Sequence, residues 1–146
     1  MTIDWNKIRH FKPSEFDDPE APGSHVHQDA ATVYALDNLR HKTGWPIVTH
    51  NRFGLRGCVC VRPAGHSTGS LHYVENGASA VDFHFATQAA PRAQAMAVLG
   101  SGFAGVGIYY DWHWAGRRLA IGFHVDQRHR PQIWKRIDGE YIYFLV

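Results

Sequence analysis

The sequence predicts an α+β fold in which a small antiparallel sheet carries helices packed on one face, and three observations lead there. Short strand-like stretches recur at Pro46 to His50, Ser79 to Phe85, Ala104 to Tyr110, Leu119 to Val125 and Tyr141 to Val146. Neighbouring stretches are joined by short turns, which favours antiparallel pairing. Two other segments carry helical signals, so helices and strands are both present but do not alternate regularly. At 146 residues the chain can bury one core and is too short for two ordinary domains, so residues 1–146 are expected to form one domain.

Met1 to Gln28 reads as an extended arm rich in Pro, Asp and His that packs through Trp5, Phe11 and Phe16. His25 and His27 lie in a loop bounded by Pro22 and Gly23 and are expected to face solvent. Asp29 has the character of an N-cap, Val33, Leu36 and Leu39 follow at helical spacing, and Gly44 with Pro46 beyond it stops the helix after Thr43. Ala89 to Leu99 is alanine-rich, accepts Pro91 in a first turn and ends at Gly100, which predicts a second helix. Asp111 to Arg118, DWHWAGRR, reads as a turn between two strands whose aromatic residues could wall a groove.

Composition excludes several function classes. Hydrophobic residues make up 45% and charged residues 19%, ordinary for a globular chain. A net charge of +2 with a pI near 8.6 suits approach to an anionic polymer. It does not form the dense Lys/Arg patch that nucleic acid requires. MTIDWNKIRHF lacks the apolar stretch of a signal peptide and no run reaches membrane-spanning length, so synthesis in the cytoplasm without membrane insertion is expected. Cys58 and Cys60 flank Val59 on a strand-like stretch, with both side chains on one face. Cys-x-Cys without a second pair is a weak motif, so a reduced structural pair is expected.

The chemistry is concentrated in SLHYVENGASAVDFH, Ser70 to His84, and GFHVD, Gly122 to Asp126. His72, Asp82 and His124 supply two imidazoles and one carboxylate, a set that suits Zn2+ with one position left for water. Such an open site belongs to catalysis, because a structural zinc site closes its fourth position with a protein ligand. Strand ends hold Asp82 and His124 and would fix them rigidly. His66, in the GHSTGS loop, reads as a loop residue.

At these residues the chain resembles the zinc peptidases of the D-alanyl-D-alanine carboxypeptidase family of M15 type, whose larger group includes lysostaphin-like enzymes and the hedgehog signalling domain. Of the family's Ser-x-His, Gly-x-Ala-x-Asp and His-Val-Asp motifs, the chain carries Ser70 and His72, Ala80 and Asp82 with Ala78 at the glycine position, and His124, Val125 and Asp126. FKPSEF, PIVTHNR, GVGIYY and a following Trp134 extend the likeness over nearly the whole chain. Nine residues separate His72 from Asp82, about three more than the family usually has, and strict spacing would put Glu75 in place of His72. His72 is preferred, because it keeps the Ser-x-His pattern and a longer surface loop costs little in closure entropy.

The resemblance implies a hedgehog/DD-peptidase-like fold, Zn2+ as cofactor, and hydrolysis of peptide bonds in peptidoglycan stem peptides by a monomeric carboxypeptidase or endopeptidase. Single-domain size without a signal peptide suits an enzyme that reaches the wall by release or on a virion, as an endolysin does. Arg52 stands where the family binds substrate, and a guanidinium fork suits a carboxylate or carbonyl oxygen. Asp126, two residues beyond His124 on the same strand face, is either the general base or an acceptor that orients a ligand histidine. Asp111 is the competing base. His113 and His84 are candidates for stabilising the oxyanion or touching substrate. The rival function is a non-catalytic zinc-containing module of the same fold that binds the wall or a partner, or that is carried on a virion.

Overall fold

A computed structural model describes residues 1–51, 54–62 and 69–144. Arg52 and His66 fall outside the described residues. The fold is α+β, with two α-helices and a mostly antiparallel sheet of six strands. Helix α1 spans Ala30–Thr43 and α2 spans Pro91–Leu99. The Asp29 carboxylate caps α1 by accepting the Thr32 N–H at 2.9 Å. Gly44, at φ 69°, closes it with an N–H to the Arg40 carbonyl, a left-handed conformation that glycine adopts without steric cost.

The strands are β1 (Ile47–His50), β2 (Val81–Phe85), β3 (Gly105–Tyr109), β4 (His113–Trp114), β5 (Arg117–Arg118), β6 (Gly122–Asp126), β7 (Gln132–Ile137) and β8 (Glu140–Phe144). The main sheet runs β1-β2-β6-β3-β7-β8, and β4 pairs with β5 as a separate two-residue hairpin. The sheet is therefore larger than the small one expected, and β3 and β7 pair in parallel. The sequence reading missed β7, although Gln132, Trp134 and Arg136 alternate there with Ile133, Lys135 and Ile137. The chain leaving β6 crosses the end of β3 in five residues, 127–131, so β7 lands beyond β3 and runs parallel to it. Arg128 pins that crossing by holding Asp126 behind it and the Gln132 Oε1 ahead at 2.8 Å.

Register divides the sheet into two unlike faces. Ile47 and Thr49 on β1 align with Phe85 and Phe83 on β2, Phe83 with Phe123 on β6, and Phe123 with Ile108 on β3. These residues, apart from Thr49, join Val33, Leu36 and Leu39 of α1 and Ala95 and Val98 of α2 in one apolar cluster. Both helices thus contribute to the core on that face, as expected. Phe83 and Phe123 are fully buried, each contributing about 1.5–3 kcal/mol by leaving water.

The opposite face carries His50, Asp82, His84, His124, Asp126 and Tyr109, interleaved with Gly105, Gly107 and Gly122. A Cβ on Gly107 would stand 2.6 Å from the Trp134 ring, and one on Gly105 would overlap the Asp126 carboxylate. The glycines are what let these large side chains lie flat over the sheet.

The N-terminal arm folds as three single 3₁₀ turns, Trp5–Lys7, Pro13–Phe16 and Ser24–His27. Phe11 and Phe16 enter the core and Trp5 packs against it. His25 departs from its expected solvent-facing position: its Nδ1 lies 2.8 Å from Asp17, and its ring meets Trp5 edge-on. Cys58 and Cys60 are buried and not in a disulfide, on an irregular segment joined to Tyr73 by one bridge, not on a regular strand. Burial pushes the Cys58 thiol well above its usual pKa, which leaves it inert as a thiolate.

Candidate metal centre

Asp82 is the second residue of β2, directly opposite His124 on β6. Its Oδ1 lies 2.8 Å from His124 Nδ1 and 3.2 Å from His72 Nε2. His72 arrives from the loop before the Val74–Asn76 turn, which pairs with the segment at Cys60: Cys60 N–H bonds the His72 carbonyl at 3.0 Å. His72, Asp82 and His124 form a group able to hold a metal ion, with one ligand atom from each and all three atoms within 4.8 Å of one another. Tetrahedral coordination at about 2.0–2.2 Å requires donors converging in this way, and two imidazoles with a carboxylate suit a borderline-soft divalent ion. Glu75, the alternative first ligand, is not part of the group.

The ring of His124 is gripped from both sides. Opposite Asp82, its Nε2 lies 2.8 Å from Asp126 Oδ2. Asp126 is fully buried, and Arg128 clamps it through Nε at 2.8 Å and Nη2 at 2.5 Å. The Arg128 guanidinium in turn lies over the Trp134 ring at 4.7 Å. Burial works against charge on all three groups of this chain. The hydrogen bonds and charges still win: Asp82 and Asp126 are held well below the usual carboxylate range, by His72 and His124 and by Arg128 and His124 respectively. His124, with Asp126 and Asp82 on its two nitrogens, is pushed up to about 9. A metal taking Nδ1 must displace a proton there, which couples metal uptake to pH.

A hollow of about 380 Å³ opens over the triad, walled by Tyr109, Trp112, Arg136 and Tyr141. A contiguous one of about 420 Å³ continues past His124 to Arg128 and Trp134. Tyr109 borders both. Its ring stacks on Trp112, with centroids 4.1 Å apart and planes 14° apart, and its oxygen accepts the Trp134 indole N–H at 2.9 Å. That bond leaves the phenol one proton of its own to donate. Burial holds the hydroxyl above its usual pKa, so it stays protonated at neutral pH.

The remaining sequence candidates are dispersed. Asp111 accepts the Arg136 Nε at 2.9 Å and the Gly139 N–H at 2.7 Å, and it does not line the hollow over the triad. His113 is exposed on β4. His84 shares the face of Asp82 but points to another partner: its Nδ1 lies 2.5 Å from His50 Nε2, and both imidazoles are buried. Tyr109, Arg128 and Trp134 were not read as site residues in the sequence. GVGIYY did carry a signal, because Gly105 and Gly107 alternate along one face and Tyr109 is the next residue on it. Among the described residues, no helix is long and apolar enough to cross a membrane. Comparisons with protein-family models, with curated proteins and with solved structures found no match.

Proposed function

We propose that this chain is a zinc-dependent metallopeptidase, of the hedgehog/DD-peptidase type of fold, that hydrolyses stem peptides of peptidoglycan. One observation carries the reading. His72, Asp82 and His124 turn their donor atoms toward an open hollow, while Asp126 holds the far nitrogen of His124. Bound zinc would polarise the scissile carbonyl and lower the pKa of its water to about 7. The chain's own residues prepare the site for that chemistry. Asp126 accepts the His124 Nε2–H and leaves Nδ1 as the ligand atom, and Arg128 keeps Asp126 ionised.

Tyr109, held by Trp112 and Trp134 at the border of the cavity, keeps one O–H that could donate to the carbonyl oxygen as charge builds on it. Trp112 and Tyr141 would flank an extended peptide, with Arg136, held by Asp111, on the same wall. Arg52 is proposed as a further contact to substrate. The proton acceptor is proposed between Asp126, nearer the ligands, and Asp111, with His113 as a further candidate for stabilising the oxyanion.

A second reading has its own observation. Among the described residues, the only carboxylate lining the hollow over the triad is Asp82, itself in the metal-holding group, so a metal-holding module that binds the wall without cleaving it is the alternative. Zinc content and hydrolysis must therefore be measured on the same preparation. The enzyme reading expects one zinc per chain, and it expects chelator-sensitive cleavage of purified peptidoglycan and of soluble peptides ending in D-Ala-D-Ala, read by mass spectrometry. Stoichiometric zinc with no cleavage of either substrate would leave the module.

A further inference from the structure

A second hollow, of about 390 Å³, lies behind the β4–β5 hairpin and is lined by His84, Thr87, Gln88, Gln94, Arg117 and Arg118 among others. The rings of His50 and Trp114 pack against His84, and Trp112 packs against His50, so this hollow shares no lining residue with the one over the triad. Its volume is in the range of small-ligand sites.

Its charges have one sign. Among the described residues, no Asp or Glu lines it. Arg118 comes only within 3.9 Å of Asp138, with both side chains well exposed, and its other contact is the Tyr110 carbonyl at 3.2 Å. Arg117 has no carboxylate within salt-bridge distance among the described residues, and its charge is felt at His84, which lies 4% exposed in the wall. His84 uses Nδ1 for His50 and keeps its other ring nitrogen for a further partner. Elsewhere the chain compensates its buried or half-buried cations: Arg128 has Asp126 and Arg136 has Asp111. Arg117 and Arg118, both exposed, stand above a buried imidazole and side-chain amides, with no carboxylate nearer to either than Asp138 is to Arg118 among the described residues.

We infer that this hollow is a binding site for an oxyanion, a carboxylate or phosphate group carried by a small molecule or by a polymer end, with Arg117 and Arg118 as its principal contacts. Guanidinium forks hold either group through two parallel hydrogen bonds, and the amides of Gln88 and Gln94 supply further polar contacts. The site does not depend on zinc or on peptidase activity.

The test uses the full chain and two probes, inorganic phosphate and N-acetylalanine, each titrated against chloride at constant ionic strength. His84 ring signals and the backbone amides of Thr87, Gln88 and Leu119 are followed by NMR. Saturable shifts are expected with at least one probe. They should weaken about tenfold or more in Arg117→Gln/Arg118→Gln, as the loss of charge-assisted bonds requires. Affinity should be unchanged in His124→Ala, which separates this site from the metal centre. Saturation by phosphate alone assigns a phosphoryl ligand, by N-acetylalanine alone a carboxylate, and by both the shared chemistry. Shifts that merely track chloride, or full affinity in the double arginine variant, would overturn the inference.

Discussion

Asp82 has a histidine opposite it on each neighbouring strand, His50 on β1 and His124 on β6, and the two have opposite surroundings. On the β6 side, His124 lies between two carboxylates and its pKa rises to about 9, even though burial opposes the charge. On the β1 side, His50 turns to His84 instead. Burial and the neighbouring imidazole push His50 down to about 4, and burial with the charges of Arg117 and Arg56 does the same to His84. The two imidazoles on Asp82, His72 and His124, also meet edge to face, with ring centroids 5.1 Å apart, so packing distance alone does not distinguish them from the His50–His84 pair at 4.8 Å. What distinguishes them is the carboxylate company. A histidine is prepared as a ligand where carboxylates orient it, and is a packed polar contact where its hydrogen-bond partner is another imidazole.

The largest expected effect tests that distinction. His124→Ala removes a donor from the triad and should lower zinc affinity by at least about 10³-fold, beyond the 10- to 100-fold typical of losing an outer partner. His50→Ala should leave zinc stoichiometry intact, because His50 is not in the metal-holding group. Competition with a chromophoric chelator measures both. Equal loss in the two variants would make the buried pair part of the metal centre and dissolve the contrast.

The second prediction concerns acid stability. In the folded chain His50 and His84 sit at about 4, against an ordinary 6.5 when unfolded. Between those values the unfolded chain binds more protons than the folded one. The pair's contribution is thus complete above 6.5 and is lost as pH falls through the window to 4. A displacement of that size on one imidazole corresponds to about 3 kcal/mol. Urea unfolding of the metal-free protein at pH 7 and pH 4.5 should show a loss on acidification that His50→Gln/His84→Gln shows much less. His124 is shifted the other way, but equally in both proteins, and cancels from the difference. The same acid loss in the variant would mean the pair is not buried neutral.

How much of this was legible in the sequence depended on whether the signal was local. Asp29, Gly44 and Pro91 marked the helix ends because caps and first turns are decided by a few adjacent residues. Asp82 and His124 were legible because strand alternation fixes a face and the residue types name the chemistry. His72 needed the resemblance, since its loop has no periodicity. The His50–His84 contact, across 34 positions, and the clamp of Arg128 on Asp126 depend on strand order and on the crossing over β3, which no local pattern encodes. β7 was missed for a related reason. Trp134 and Arg136 look like surface residues until β8 covers their edge and Gly107 makes room for the indole.

The smallest effect bears on Asp126, whose role the sequence left divided between base and support. Its geometry supports the second. One oxygen lies on His124 Nε2, and both oxygens are within reach of Arg128. The residue is fully buried, and it lies on the side of the imidazole away from Asp82. A carboxylate so engaged would have to release the guanidinium to take a proton from water, against the interactions that hold it ionised. Asp126→Asn keeps an oxygen for the Nε2–H but gives up the charge. It should therefore lower zinc affinity by about 10- to 100-fold while turnover returns at saturating zinc. A general base behaves differently: affinity would hold, and turnover at saturating zinc would stay down by about 10²- to 10⁴-fold. Zinc affinity and turnover measured together on one preparation, with unfolding followed to confirm that Arg128 tolerates the change, separate these outcomes. The first would extend the contrast between the two histidine pairs outward by one residue, because His124 would then owe its ligand character to Asp126 as well as to Asp82.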